Sequence, residues 1–248
     1  GFMGLLDGRL ALVTGASRGI GYATARVLAR EGAHVIAVAR TIGGLEELDD
    51  AIKKETGQSA TLVPMDLTDM PAIDRLGGAI HERWGKLDVL VANAGTLGTI
   101  SPVAHVEAKV FDQVIDINIK STWRLIRSVE PLLLKSDAGR ALVLSSSVAH
   151  TARAFWGPYA ASKAALEVLV RVWAEEQEKT ALKVNSVDPG GTRTAMRARA
   201  FPGEDPATLP KPAEVAEKLI KLCTPDLDVT GKLFKVREDR FVDYRLPE

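Results

Sequence analysis

Cysteine is nearly absent: Cys223 stands alone among 248 residues. No intramolecular disulfide framework can form, and a reducing, cytoplasmic setting is expected. Long hydrophobic runs are missing as well. None approaches the ~18–20 residues of a membrane span and no charged-then-apolar leader is evident, so no membrane partner is expected. Surplus charge is also missing, since 32 basic residues against 32 acidic ones leave a formal net charge of +0. That argues against nucleic acid as a partner, because holding a phosphate backbone draws on a basic excess. The histidines His34, His81, His105 and His150 lack metal-ligand spacing and have no cysteine beside them, so no metal is expected. No repeat, low-complexity tract or polar linker divides the chain, which predicts a single domain over residues 1–248.

What is present is alternation. Short apolar runs at 10–14, 34–39, 60–65, 87–92, 141–144 and 183–187, with a weaker one at 232–236, are separated by segments of helical period at 20–30, 45–55, 72–84, 110–134 and 158–178. Continuous apolar runs suit strands covered on both faces. The pattern predicts an α/β fold: one doubly wound Rossmann-type domain, a mostly parallel seven-stranded sheet with helices on both faces. Prolines 202, 206, 210 and 212 break up residues 190–212. An irregular stretch of that length inside a compact domain reads as a substrate lid.

The first strand runs into Thr14-Gly15-Ala16-Ser17-Arg18-Gly19-Ile20-Gly21 and then a helix. Gly15 suits a tight strand-to-helix turn, Gly19 lets backbone approach a diphosphate, and Gly21 allows close helix–strand packing. The diphosphate would sit at the helix N-terminus, where N–H groups and the dipole favour anions. The second strand ends in Arg40 instead of the carboxylate that would accept ribose hydroxyls, and Arg18 adds a second guanidinium. Two arginines suit a ribose 2′-phosphate, so the expected cofactor is NADP(H).

Tyr159 and Lys163 stand at i and i+4, on one face of a helix. A phenol is a poor base near neutrality, and a nearby ammonium would lower its pKa, with desolvation opposing. Such a tyrosine can exchange the proton of a carbonyl–alcohol couple. Ser146, just past the fifth apolar run, could polarise the same oxygen.

With these residues the chain resembles the short-chain dehydrogenase/reductase family in its compact, NADP-preferring branch, in particular a bacterial subgroup of unassigned substrate. The resemblance extends from Leu6 to Gly231. Residues 14–21 match its TGxxxGIG loop, Asn93-Ala94-Gly95 its NAG segment, and Ser146 with Tyr159-x3-Lys163 its serine and its tyrosine–lysine pair. By this resemblance Tyr159 is the general acid/base and Ser146 orients the carbonyl. Lys163 binds the nicotinamide ribose and tunes Tyr159, while Asn118 holds a proton-relay water. The resemblance also implies cofactor contacts from Gly15, Ser17, Arg18, Gly19, Ile20, Gly21, Arg40, Asp66 and Leu67 (Asp66 meeting adenine), from Asn93, Ala94 and Gly95, and from Pro189, Gly190, Thr192 and Thr194. Ala92 replaces the first asparagine of the usual NNAG. Lys235-Val236-Arg237-Glu238-Asp239 stands where many relatives carry a glycine pair.

The expected activity is NADP-dependent hydride transfer between nicotinamide and a small-molecule carbonyl or secondary alcohol. The alternative is a nucleotide-sensing or scaffold protein of the same fold without turnover, although such a protein would be expected to lose the serine, tyrosine or lysine. A sugar-nucleotide epimerase is a further rival, for which 248 residues leave little room. Phe155, Trp156, Met196 and Phe201 flank the expected site as a candidate apolar pocket, and His150 reads as a solvated loop residue or a pocket wall. Ile119, Trp123, Leu166, Leu169 and Trp173 give the two long helices more apolar surface than one sheet face needs. Together with the resemblance, this predicts a homodimer or homotetramer.

Overall fold

A computed structural model describes residues 4–248 of the chain. Its strands are β1 (Leu10–Thr14), β2 (His34–Ala39), β3 (Thr61–Pro64), β4 (Val89–Ala92), β5 (Arg140–Leu144), β6 (Lys183–Asp188), β7 (Leu233–Lys235) and β8 (Arg240–Val242). They form one sheet in the order β3-β2-β1-β4-β5-β6-β7-β8. All pairings are parallel except β7 with β8, which is antiparallel. In the middle of the sheet Leu12 pairs with Ile36 on one side and Leu90 on the other, and all three are buried. Every residue of β1 is buried, as continuous apolar character in a doubly covered strand requires.

The helices are α1 (Gly19–Arg30), α2 (Ile42–Thr56), α3 (Met70–Trp84), α4 (Ala108–Val114), α5 (Ser121–Leu133), α6 (Val148–Thr151), α7 (Gly157–Glu176), α8 (Ala195–Ala200) and α9 (Pro212–Leu219). One apolar core packs α1, α2 and α9 against a sheet face, through residues such as Leu28, Leu48 and Leu219. A second packs α3, α5 and α7 against the other face, through Ile80, Val129 and Val170. Strand order reverses between β1 and β4, so the crevice at their carboxyl ends is where a doubly wound sheet binds ligands. Among the described residues no helix is long and apolar enough to cross a membrane.

The structure departs from the sequence pattern in three places. The sheet has eight strands, not seven, because residues 235–239 turn the chain back into the short β8. The helix expected over 110–134 is interrupted by a π-helical turn, Ile115–Lys120, between α4 and α5. The stretch 190–212 is not wholly irregular: Thr194 accepts a hydrogen bond from the Arg197 N–H at 3.2 Å and so caps α8.

Candidate active site

The glycine loop is built as its composition demands. Gly15 and Gly19 adopt φ of 62° and 60°, in the left-handed region. A Cβ on Gly21 would lie 2.1 Å from the Gly15 carbonyl oxygen, so α1 can start this close to β1 only with glycine there. No side chain caps the start of α1 and its first turn carries no acidic residue, which keeps this helix end favourable for an anion. Ser17 packs against α2, where a Cβ on Gly44 would come 2.7 Å from the serine Cβ. The 93–95 segment is stitched to the loop. Thr14 Oγ1 accepts from the N–H groups of Asn93 at 3.1 Å and Ala94 at 3.3 Å, and Asn93 Nδ2 donates to the Gly15 carbonyl at 3.2 Å.

Arg18 and Arg40 are both exposed, one at the head of α1 and the other just past β2. Asp66 follows β3, and its Oδ1 accepts from the Thr68 N–H at 2.9 Å and the Thr68 hydroxyl at 2.8 Å. Those bonds, aided by the Arg40 charge, hold its carboxyl below the usual carboxylate range. Leu67 packs on the core beneath α3. A cradle of glycines, an uncapped helix end, two exposed guanidiniums and a carboxylate beyond β3 together fit a dinucleotide carrying a 2′-phosphate.

Tyr159 and Lys163 lie on α7, which Pro158 opens in its first turn. The preceding turn holds Ala152 and Phe155 at φ of 48° and 75°, strained values for non-glycine residues. That turn buries Trp156, whose ring stands edge-on to Tyr159 with centroids 5.8 Å apart. Ser146 follows β5 and lies near enough for its hydroxyl to favour the phenolate by hydrogen bonding, but burial outweighs it and pushes the phenol up to about 12. The hydrogen bond found for the Lys163 ammonium goes to backbone. The ammonium donates to the Leu144 carbonyl at 3.0 Å and lies 5.6 Å from the centre of the Tyr159 ring. Burial brings Lys163 down to about 8, against the pull of Glu167. The expected lowering of the Tyr159 pKa is therefore absent, because desolvation dominates both groups.

Asn118 sits in the π-helical turn, fully buried. Its Oδ1 accepts from the Thr96 N–H at 2.8 Å, and its Nδ2 donates to the Thr96 carbonyl and to Ser162 Oγ, each at 3.0 Å. Ser162 in turn donates to the Tyr159 carbonyl at 2.7 Å. A Cβ on Gly95 would lie 3.4 Å from both Asn118 Oδ1 and Lys163 Nζ, which brings the two halves of the cleft together.

After β6, Asp188 accepts from the Gly190 N–H at 2.9 Å, and the Thr192 hydroxyl donates to the Gly190 carbonyl at 3.1 Å. These bonds fix the turn that follows Pro189. Thr194 faces the glycine loop: a Cβ on Gly19 would lie 3.6 Å from the Thr194 methyl. Beyond it, Phe201 stacks on Trp156 at 5.7 Å and Met196 packs beside them, so Trp156, Met196 and Phe201 form an apolar wall next to Tyr159. Phe155 does not join that wall and is 55% exposed.

Two residues escaped the sequence reading. Glu167, one turn beyond Lys163 on α7, is buried, and Tyr244 near the C-terminus donates to it at 2.8 Å. His150 keeps an exposed side chain, as a solvated residue does, but its Nε2 donates to the same carboxylate at 2.6 Å and so anchors the ring to Glu167. Only the spacing Tyr159, Lys163, Glu167 (i, i+4, i+8) signalled that carboxylate in the sequence.

The short chain dehydrogenase family profile matches residues 9–205. The oxidoreductase YciK of Escherichia coli is 43% identical over 239 residues, covering 95% of this chain and 94% of its own. A short chain dehydrogenase structure from Shigella flexneri, complexed with NADP, superposes with a TM-score of 0.92 at 40% identity, covering 95% of this chain and 100% of its own. One from Escherichia coli, complexed with NADPH, superposes with a TM-score of 0.91 at 41% identity, covering 94% and 98%. The profile, the sequence identity and the shared fold agree: this chain belongs to the short-chain dehydrogenase/reductase family of NAD(P)-dependent oxidoreductases.

Proposed function

We propose that the chain interconverts a carbonyl compound and a secondary alcohol with NADP(H), Tyr159 serving as general acid/base. The observation that carries this reading is the meeting of Ser146, Tyr159 and Lys163 at the carboxyl ends of β4 and β5, beside a glycine cradle. The NADP and NADPH complexes of similar structures support the cofactor assignment. When bound, the nicotinamide supplies or accepts the hydride.

The residues of the chain do the rest. The loop 15–21 and the start of α1 hold the diphosphate, Arg18 and Arg40 the 2′-phosphate, and Asp66 with Leu67 the adenine side. Lys163 and the 93–95 segment hold the nicotinamide ribose, while Pro189, Gly190, Thr192 and Thr194 position the amide. Ser146 orients the substrate oxygen toward the Tyr159 hydroxyl. A phenol held at about 12 is protonated at neutral pH, ready to give its proton to the oxygen of a carbonyl being reduced. The Asn118 side chain is committed to Thr96 and Ser162, so a relay water would meet its backbone instead.

We further infer a single domain in which residues 190–212 form the substrate lid, working in a reducing compartment where the buried Cys223 stays a thiol. Trp123 on α5, with Val168 and Val172 on α7, is an exposed apolar residue and supports a homo-oligomer. Trp173 instead belongs to the core and donates to Glu130 at 2.6 Å.

A panel of ketones, aldehydes, β-ketoacyl thioesters and alcohols, followed by NADPH absorbance, tests the reading. Turnover of at least one carbonyl is expected. Tight NADPH binding with no turnover across the panel would favour the sensor alternative.

A further inference from the structure

The Glu167 carboxylate gathers three side chains, two from the stretch just after β5 and one from the distant C-terminal tail. Ser145 Oγ, from the end of β5, donates to Oε2, while His150 Nε2 at 2.6 Å and Tyr244 Oη at 2.8 Å donate to Oε1. Glu167 is itself only 3% exposed. A buried carboxylate is tolerated when its charge is met by hydrogen bonds and by a neighbouring cation. Here the cation is Lys163, one helical turn away on α7, whose charged form Glu167 favours. Ser145 adjoins Ser146, and the Lys163 ammonium holds the Leu144 carbonyl, so carboxylate and ammonium grip the same strand end from two sides.

We propose that Glu167 is a positioning residue of the reaction, keeping Lys163 charged and the Ser145–Ser146 strand end in place, and that Tyr244 makes the C-terminal tail a working part of the active site. The proposal rests on the reading of Lys163 as a cofactor-binding residue and deepens it. The tail reaches this position through the β7–β8 turn, and the Arg171 guanidinium clamps the Tyr244 ring from 4.4 Å. Without Glu167, Lys163 would be a fully buried ammonium with only a carbonyl for company, and it would shed its proton closer to neutrality.

The groups facing this pair are few. Glu167 meets Ser145 from β5, His150 from α6, Tyr244 from the tail, and Lys163 on its own helix. Lys163 meets Tyr159 and Glu167 on α7, Leu144 on β5 and the Gly95–Asn118 junction, while Asp188 on β6 faces Tyr159. Of the charged groups, Glu167 is the one whose removal strips Lys163 of an opposite charge.

The test uses NADPH alone as the probe, with nicotinamide fluorescence titrated across pH 6 to 10 on the full chain. In the wild type, affinity is expected to fall as pH rises through the Lys163 titration. Glu167→Gln should move that midpoint down by about one unit. Glu167→Asp, which keeps the charge, should hold it near the wild-type value. Tyr244→Phe should move the midpoint up instead, because water admitted by a loosened tail relieves the burial that holds Lys163 down. Equal midpoints in the wild type and Glu167→Gln would overturn the role of Glu167, and an unshifted Tyr244→Phe would overturn that of the tail. If Glu167→Gln does not fold, Tyr244→Phe and Glu167→Asp decide. A wild type that binds NADPH with no titration refutes the coupling itself, whereas a wild type that does not bind NADPH refutes the cofactor reading beneath it.

Discussion

Lys163 holds its Nζ 5.6 Å from the centre of the Tyr159 ring while donating to the Leu144 carbonyl at 3.0 Å. The ammonium therefore braces the strand end that carries Ser146, and the phenol keeps its proton in a desolvated pocket under Trp156.

Tyr159→Phe removes the hydroxyl and keeps the ring that packs on Trp156. Turnover should fall by about 10²–10⁴-fold, the usual share of a general acid–base group, with NADPH affinity nearly unchanged. Steady-state kinetics with a titration of NADPH fluorescence reads both. Retention of most of the activity would remove Tyr159 from the mechanism.

The depressed pKa of Lys163 is also a statement about stability. An unfolded lysine titrates near 10.5 and the folded one near 8, so between those values the unfolded chain holds more protons. Stability from this group is present above pH 10.5 and is lost as pH falls to 8. The opposite holds for Tyr159, raised from 10 to about 12, whose contribution is fully present below pH 10 and declines above it. In Lys163→Met the relief of a buried ammonium is offset by the loss of the Leu144 bond and of the cation that balances buried Glu167, so the net change at pH 7 should stay within about 1–3 kcal/mol. Its pH dependence between 8 and 10 should flatten while NADPH binding is lost. Thermal melts across that range decide; a variant whose stability still rises from pH 8 to 10 as steeply as the wild type's contradicts the argument.

On the proposed reading, Arg18 and Arg40 set the cofactor. Charge-assisted bonds contribute about 1.5–3 kcal/mol each, less for exposed groups such as these. A preference for NADPH over NADH of roughly ten- to a hundredfold follows. Arg40→Ala should raise the KM for NADPH and leave that for NADH almost unchanged. Equal use of both cofactors by the wild type would reduce the two arginines to surface charges.

On α7, Val168 and Val172 are 53% and 49% exposed, and Trp123 on α5 is 44% exposed. A self-complementary contact across a two-fold axis would cover such residues on both copies at once. Val168→Arg should convert a dimeric or larger mass into the monomer, as measured by light scattering at micromolar concentration. A monomeric wild type would sink the prediction.

Most of the fold could be read from the sequence because its strands are buried on both faces, and continuous apolar runs such as 10–14 and 34–39 mark them to the residue. β8 could not, since three residues with Arg240 at their head carry no periodicity of their own. The π-helical turn was invisible for a related reason: its apolar spacing is close to that of an α-helix, and what differs is which carbonyls the backbone meets. At the site, Ser146, Tyr159 and Lys163 were legible from type and spacing. Their protonation was not, because burial decides it and depends on Trp156 and the strand ends around them. Glu167 was hidden because the 145–150 stretch and Tyr244 reach it only in three dimensions.

The margins of the sheet also bear on how the chain behaves at high concentration. A strand edge with free N–H and C=O groups is a template for recruiting another chain. Here one margin is β8, three residues beginning with Arg240, and the other is β3, four residues ending in Pro64, which has no N–H to offer. Neither gives an incoming strand enough length to nucleate on. The late turn that adds β8 thus covers β7, whose Leu233 and Phe234 stay buried, with a three-residue strand headed by Arg240, a safeguard against edge-to-edge aggregation.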